Sequence, residues 1–327
     1  MKKLIIVSAA LLFVQFCFAQ SYFMDELPRF QVRGEMRYDW TPENGFYGNA
    51  LNLQLKGRIC EGLSYDVKHR FNKPAQNRYH FDATDWAYLR FQCTPEVDMK
   101  VGKVIYLMGG FEFNTSPLDV YAGSITWMDM PCYMFGVNAA YTLKSGKDQF
   151  VLQLCQSPYD FDSGRYSLNF AWNGEHGIWQ TAYSANAFEC EAGQYALFFA
   201  FGNRLKFGKI TAYLDFYTRG AMVDTDPFRN SSIVAKLDFS PNQNCNFFLK
   251  GSYDQNSGAD GFLISNGTKF LQQSAGVEFY PKCCPNVRFH ANVCYTDGVR
   301  YISDTAYNYT NLISVNCGLS CRLGFGK

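Results

Sequence analysis

The chain has 327 residues, of which 17% are aromatic and 18% are charged, and its formal net charge is +1. This near-neutral balance argues against a nucleic-acid-binding protein, which would carry a strong positive excess. After the N-terminal region no stretch approaches 18 consecutive apolar residues, so the sequence predicts no membrane-spanning helix.

The chain begins with the pattern of a secretory signal peptide. Lys2 and Lys3 form a basic start, and residues 4–18 form a short apolar core that is followed by a small residue. We therefore predict a cleaved signal peptide over residues 1–19. The mature protein would be a single domain over residues 20–327.

From residue 30 onwards, apolar and polar residues alternate in segments of about ten residues. A strand of this length with one apolar face can cross a bilayer as part of a closed barrel. The sequence therefore predicts an all-β fold, a transmembrane antiparallel β-barrel of about sixteen strands. In the first strand, one face carries Phe30, Val32, Gly34, Met36 and Tyr38, and the other carries Gln31, Arg33, Glu35, Arg37 and Asp39.

The predicted connections alternate between short turns and long loops, as periplasmic turns and external loops do in outer-membrane barrels. This alternation places both chain ends in the periplasm. Long loops are predicted at residues 41–50, 188–194 and 297–311, among other places. The strand predicted at residues 195–205 has a weak pattern because Phe198 interrupts the alternation.

Several segments of the chain resemble one family of outer-membrane proteins. They are the run RGEMRYDW at residues 33–40, the run ATDWAYL at 83–89, the pair Gly102-Lys103, and the final strand that ends near Phe325. With these features the chain resembles the phosphate-selective porin O and P family. The resemblance implies a bacterial outer-membrane barrel that passes small solutes, with some members selecting anions or phosphate. It also implies a homotrimer, which rests on the resemblance alone.

The longest predicted external connection is the third, at residues 105–132. It carries Glu112, Asp119 and Asp129 but no Lys or Arg. A connection of this length in a compact fold is usually functional. Chiefly on the resemblance, we expect it to fold into the lumen as a constriction loop, with its acids facing a basic wall.

The polar faces of the first four strands, together with the last strand, predict a basic lumen wall. A turn centred on Glu61 would place Lys56 opposite Asp66. A ring of cations in a pore favours anions, whereas acids on the loop would weaken that preference and create a transverse field that orients dipolar solutes. The predicted pore-lining residues are Arg33, Arg37, Lys56, Arg58, Lys68, Arg70, Arg90 and Arg322.

The sequence indicates no enzyme, no metal site and no bound cofactor. A hydrolase barrel needs a histidine beside a nucleophile or an acid at one rim, and none of the four histidines lies next to a nucleophile in an elbow sequence. A P-loop, a dinucleotide-binding fingerprint and zinc-ligand spacing are absent from the sequence. The cysteines, which include no CxxC pair, are interpreted as small apolar fillers of the strands.

The favoured hypothesis is an outer-membrane porin. It would be a passive diffusion channel for small hydrophilic solutes with a mild anion preference, phosphate being one candidate. Its partners would be outer-membrane lipids and small hydrophilic or anionic solutes. The alternative is an outer-membrane barrel with a filled lumen that acts as an adhesin or as a loop-display or structural protein. Small inward residues such as Ser184, Gly202 and Gly318 favour an open lumen. A soluble secreted β-protein, which would extract without detergent, is the third hypothesis.

Overall fold

The computed structural model describes residues 29–73, 81–159, 164–220, 226–258, 263–302 and 305–326. The predicted signal peptide lies outside these residues. Within them the chain forms sixteen strands. These are β1 (Gln31–Thr41), β2 (Gly45–Cys60), β3 (Leu63–Arg70), β4 (Thr84–Gln92), β5 (Val97–Ile105), β6 (Tyr133–Thr142), β7 (Asp148–Gln156), β8 (Tyr166–His176), β9 (Trp179–Glu191), β10 (Gln194–Phe207), β11 (Ile210–Arg219), β12 (Asn230–Asn242), β13 (Cys245–Asn256), β14 (Lys269–Phe279), β15 (Val287–Ile302) and β16 (Thr305–Gly326).

The strands form one closed antiparallel barrel, which confirms the predicted fold class. Each strand pairs with its neighbours in sequence, and β1 closes the barrel by pairing with β16 along its length. Closure leaves no free sheet edge, so each strand finds backbone hydrogen-bond partners on both sides. The predicted register between β2 and β3 is also confirmed, with Lys56 opposite Asp66.

Side chains alternate between the outside and the inside of the barrel, because successive residues of a strand point to opposite faces. The outer face carries large apolar side chains that are about half exposed, a surface that suits contact with lipid. Examples are Leu152, Leu154, Phe170, Leu214, Leu249 and Phe289.

Among the described residues, helical structure is confined to the connection between β5 and β6. It consists of a 3-10 turn at Pro117–Asp119 and the short helix α1 at Ile125–Asp129. Ser124 begins α1, and its Oγ accepts a hydrogen bond from the backbone N–H of Trp127. No helix among the described residues has the length and apolar character needed to cross a membrane.

Three of the predicted long loops are wrong, because the strands extend through them. Residues 42–44 alone join β1 to β2, residues 192–193 join β9 to β10, and β15 continues to Ile302. The alternation of apolar residues fades where a strand extends beyond the bilayer and both of its faces meet water. Backbone pairing does not require an apolar face, so these strand ends continue without the sequence signal.

A hydrophobic cluster lies inside the barrel, on the side formed by β6 to β12. Tyr106, Met108 and Phe113 from the β5–β6 connection pack there against inward side chains that include Phe188 and Phe198. The interruption of the alternation at Phe198 therefore has a packing cause. Its ring points inward because the connection covers it, and it is fully buried.

We expect Phe198→Ala to lower the free energy of unfolding by about 3 kcal/mol, because it empties a fully buried site. Phe201→Ala is the matched control, since Phe201 lies on the outer face of the same strand and is 41% exposed. Lipid chains can fill the space that its ring leaves. Urea unfolding of the protein folded into lipid vesicles measures the free energy of unfolding of both variants. Equal decreases in this free energy would contradict the packing of the connection on Phe198.

Candidate functional site

Residues 106–132, which join β5 to β6, lie against inward side chains of the barrel; we call this segment the inner loop. Gln153 Oε1 of β7 accepts a hydrogen bond of 2.8 Å from the backbone N–H of Leu107. Ser184 Oγ of β9 accepts one of 2.8 Å from the backbone N–H of Gly109. Wall side chains thus satisfy backbone groups of the loop that would otherwise need a neighbouring strand or water.

Two buried carboxylates hold the middle of the inner loop. Asp215 accepts hydrogen bonds from the backbone N–H groups of Phe111 and Glu112, at 2.9 and 2.8 Å. Asp254 accepts one of 3.1 Å from the backbone N–H of Ile125, at the start of α1. Because a buried carboxylate is costly without such donors, both side chains tie the loop to the wall.

Arg37 of β1, a predicted pore-lining residue, binds the opposite side of the inner loop. Its Nη1 donates hydrogen bonds to the carbonyl oxygens of Pro117, Leu118 and Val120, at 3.2, 3.3 and 2.8 Å. Its Nε lies 2.9 Å from Asp39 Oδ1. With 3% of its surface exposed, Arg37 is buried against the loop and does not line an open passage.

The three acids of the inner loop form ion pairs with cations on β13, β15 and β16. The pairs are Glu112 with Lys250, Asp119 with Arg288 and Arg322, and Asp129 with Arg300. The expected arrangement, in which the acids face a basic wall of the first four strands, differs from this one. Of the predicted pore-lining residues, Arg322 meets a loop acid, and it does so from the last strand.

The surroundings of Asp119 and Asp129 shift their pKa values in opposite directions. Burial alone would raise the pKa of Asp119, but Arg288 and Arg322 outweigh it and hold this pKa below the ordinary value of 3.8. Burial raises the pKa of Asp129 above 3.8, because Arg300 only partly offsets it. The Asp119 pairs therefore resist acid better than the Asp129 pair does.

We expect acid to loosen the inner loop in one stage, through Asp119. The contribution of Asp119 is complete above its ordinary pKa of 3.8 and is lost as the pH falls through its lower folded-state value. Asp129 has the opposite sign, because a carboxyl whose pKa is raised in place binds its proton more tightly there than in a released loop. Single-channel current noise should therefore rise once during a downward pH series, below pH 3.8. Asp129→Asn should keep this rise, and a rise that Asp129→Asn removes would contradict the assignment to Asp119.

Three of the predicted cations of the first four strands form ion pairs with acids on β1, β4 and β5. The pairs are Lys68 with Glu35 at 2.6 Å, Arg70 with Asp85 at 2.5 Å, and Arg90 with Asp98 at 3.2 Å. Arg33 is exposed near the end of β1, and Lys56 and Arg58 are half-buried on β2. Local pairing therefore makes this wall less basic than its count of cations suggests.

A cavity of about 360 Å³ lies between the inner loop and the wall formed by β3, β4 and β6. Lys68, Arg70, Trp86 and Tyr133 line the side next to the wall. The loop residues that line it are all uncharged: Phe113, Asn114, Thr115, Ser116, Pro117, Trp127, Met128, Met130 and Cys132. Because the loop acids lie against other strands, the charges lining this cavity come from the barrel wall.

Small inward residues make room for the inner loop. A Cβ atom at Gly202 would lie 2.8 Å from the Cα of Gly110 and 2.8 Å from Asp215 Oδ1. Ser184 also contacts the loop, through the hydrogen bond to Gly109. The sequence interpretation took such residues as signs of an open lumen, whereas on this side of the barrel they accommodate the chain itself.

Sequence reasoning missed the roles of several residues of this region. Trp86 and Tyr133 are not among the predicted pore-lining residues, although Trp86 is an aromatic residue on an otherwise polar inner face. Arg300 was assigned to an external loop, although it lies in β15 and binds Asp129 at 2.7 Å. The sequence does hold one signal of this pairing. A loop that carries three acids but no Lys or Arg must find its cationic partners on the barrel wall.

Comparison with known proteins agrees with this architecture. Residues 30–177 match the family model of phosphate-selective porin O and P. No curated protein matches the chain.

Several solved structures share the fold at low sequence identity. An anion-selective porin from Comamonas acidovorans aligns with a TM-score of 0.63 and 7% identity, over 90% of this chain and 98% of that one. In-vitro folded OmpT, an outer membrane protein of Vibrio cholerae, aligns with a TM-score of 0.59 and 11% identity, over 90% and 96%. A trimer form of OmpT aligns with a TM-score of 0.56 and 12% identity, over 90% and 98%. Residues 30–177 thus match the phosphate-selective porin O and P family, and the chain as a whole is a bacterial outer-membrane β-barrel protein with the porin fold.

Proposed function

We propose that this protein is a passive diffusion channel for small hydrophilic solutes, with a mild preference for anions, phosphate being one candidate. The observation that carries the proposal is the charge around the cavity beside the inner loop. Lys68 and Arg70 lie on its wall side, and its loop side is uncharged. Cations that line a passage favour anions, and the pairing of both residues with acids keeps that preference mild.

The inner loop would act as the constriction of this channel. It contacts β7, β9, β11 and β13 on one side and β1, β15 and β16 on the other, so the passage would lie beside β3 and β4. Glu112, Asp119 and Asp129 would then serve chiefly to fasten the loop. The selectivity would come from the wall, with Lys68 and Arg70 closest to the solute.

A homotrimer is part of the proposal. It is supported by the family match and by a fold that aligns with a structure described as a trimer form. Cross-linking of the detergent-purified protein, followed by electrophoresis without heating, tests it. A species of three chains is the expected result, and a single-chain species at every protein concentration would contradict it.

Planar-bilayer recording of the purified protein across a KCl gradient tests the channel. Stable conductance steps with a reversal potential on the chloride side are the expected result. The alternative, a filled barrel that displays its loops, is favoured by the hydrophobic cluster between the inner loop and β6 to β12. Protein that inserts and folds but never conducts would support that alternative and overturn the channel.

A further inference from the structure

The cavity beside the inner loop has an unusual lining for a water-filled passage. Trp86 and Tyr133 lie on its wall side, with their ring centroids 5.9 Å apart and their planes tilted by 48°. Trp127 and Phe113 line it from the loop. A lumen that only conducts ions gains nothing from four aromatic rings, since its inner face is normally polar.

The Trp86 ring is held in one orientation. Its Nε1 donates a hydrogen bond of 2.6 Å to Asp66 Oδ1. The Nζ of Lys68 lies over one face of the ring, 5.0 Å from its centroid, which leaves the other face for stacking. A ring fixed in this way presents its surface to a ligand at little entropic cost.

Arg70 places a cation beside the Trp86 and Tyr133 rings, in the lining of the same cavity. Its Nε is held by Asp85 Oδ1 at 2.5 Å, and its guanidinium lies 5.7 Å from the Tyr133 ring. The Arg70 side chain is 27% exposed, compared with 7% for Lys68. Arg70 is therefore the cation that a solute in the cavity would reach first.

We propose that this cavity is a binding subsite for small organic anions built on a flat ring, such as aryl carboxylates. The ring would stack on Trp86 and Tyr133, and the carboxylate would bind the guanidinium of Arg70. A volume of about 360 Å³ holds a solute of one ring. The inference rests on the proposed channel, and it names the class of solute that the channel retains longest.

The chemistry of the lining distinguishes aryl carboxylates from inorganic anions and from organic cations. Inorganic anions interact with the cations but gain nothing from the rings. Organic cations would favour the ring faces, but Lys68 and Arg70 repel them. Only a solute that combines a flat ring with a negative charge uses both parts of the lining.

Benzoate and acetate are the matched probes, since they share the carboxylate and differ in the ring. Calorimetric titration of the purified, folded protein measures binding without requiring conduction. We expect benzoate to bind and acetate to show no measurable binding at the same concentrations. In bilayers, benzoate should reduce the chloride current at concentrations where acetate leaves it unchanged.

Trp86→Leu should raise the Kd for benzoate about fivefold, because it removes one stacking surface. Tyr88→Leu is the matched control, since Tyr88 lies on the same face of β4, two residues further along, and outside the cavity lining. It should leave the Kd unchanged. Arg70→Gln should weaken benzoate binding and leave acetate binding unmeasurable.

Equal binding of benzoate and acetate to the unaltered protein would overturn the subsite, and this result does not depend on any variant. Equal losses in Trp86→Leu and Tyr88→Leu would overturn its location. A protein that conducts chloride but does not distinguish the two probes keeps the proposed function and loses this inference. A protein that binds benzoate selectively but never conducts loses the proposed function and keeps the subsite.

Discussion

Reversing the charges of Arg58 and Arg70 is expected to shift the permeability of the channel from chloride towards potassium. Each change to Glu alters the local charge by two units. A unit charge at about 8 Å in water contributes roughly 0.5 kcal/mol, so each reversal shifts the energies of chloride and potassium by about 1 kcal/mol in opposite directions. Each reversal should therefore lower the chloride-to-potassium permeability ratio about thirtyfold at low salt. The reversal potential across a KCl gradient measures this ratio.

Lys282→Glu is the matched control for this experiment. Lys282 is exposed in the turn between β14 and β15, outside the strands. The same change of charge there should leave the reversal potential nearly unchanged. Arg58→Glu should also be measured alone, because Arg70→Glu would place a second acid beside Asp85, the partner of Arg70. If the double variant keeps its chloride preference, Arg58 and Arg70 do not determine the selectivity of the channel.

Replacing Arg37 with alanine is expected to loosen one part of the inner loop and leave the barrel closed. The change leaves three loop carbonyls without their donor and Asp39 without one of its partners. Breaking a buried pair of this kind costs about 3–5 kcal/mol, which should loosen the loop around residues 117–120, while Asp215 and Asp254 keep other parts of it on the wall. Single-channel recordings should show a larger and noisier conductance.

Two variants make the Arg37 experiment specific. Arg33→Ala removes the same side chain from the same face of β1, but at an exposed position, and should leave the conductance unchanged. Arg37→Lys keeps the charge, but its single ammonium cannot face the loop carbonyls and also replace the Nε–H that binds Asp39, so its noise should be intermediate. An electrophoretic shift on heating shows whether each barrel has folded. A folded Arg37→Ala protein with ordinary conductance would show that the other contacts hold the loop without Arg37.

The barrel could be predicted from the sequence because its signal is local. The alternation of Gln31, Arg33 and Glu35 with Val32 and Gly34 already states which face of β1 is apolar, and the same pattern recurs in the later strands. The order of the strands follows from it, since each pairs with its sequence neighbours. The errors lie at the external strand ends, where both faces meet water and the alternation carries no information.

The arrangement inside the barrel could not be predicted in the same way. Glu112 binds Lys250 across 138 positions of the chain, and Asp119 binds Arg288 across 169. Periodicity places Lys250 and Arg288 on the inner face but does not say which of them meets which acid of the loop. Phe198 shows the same limit, because only the position of the inner loop explains an inward phenylalanine.

The sequence by itself determined that this chain closes into a barrel, which residues face lipid, and that a long acidic connection follows β5. Those properties depend on side-chain period and turn spacing, which are readable along the chain. Only the tertiary structure decided that Arg37, Arg288 and Arg322 fasten the inner loop, whereas Lys68 and Arg70 line a cavity. Such roles depend on distances between strands far apart in sequence, and these distances exist only once the barrel has closed around its loop.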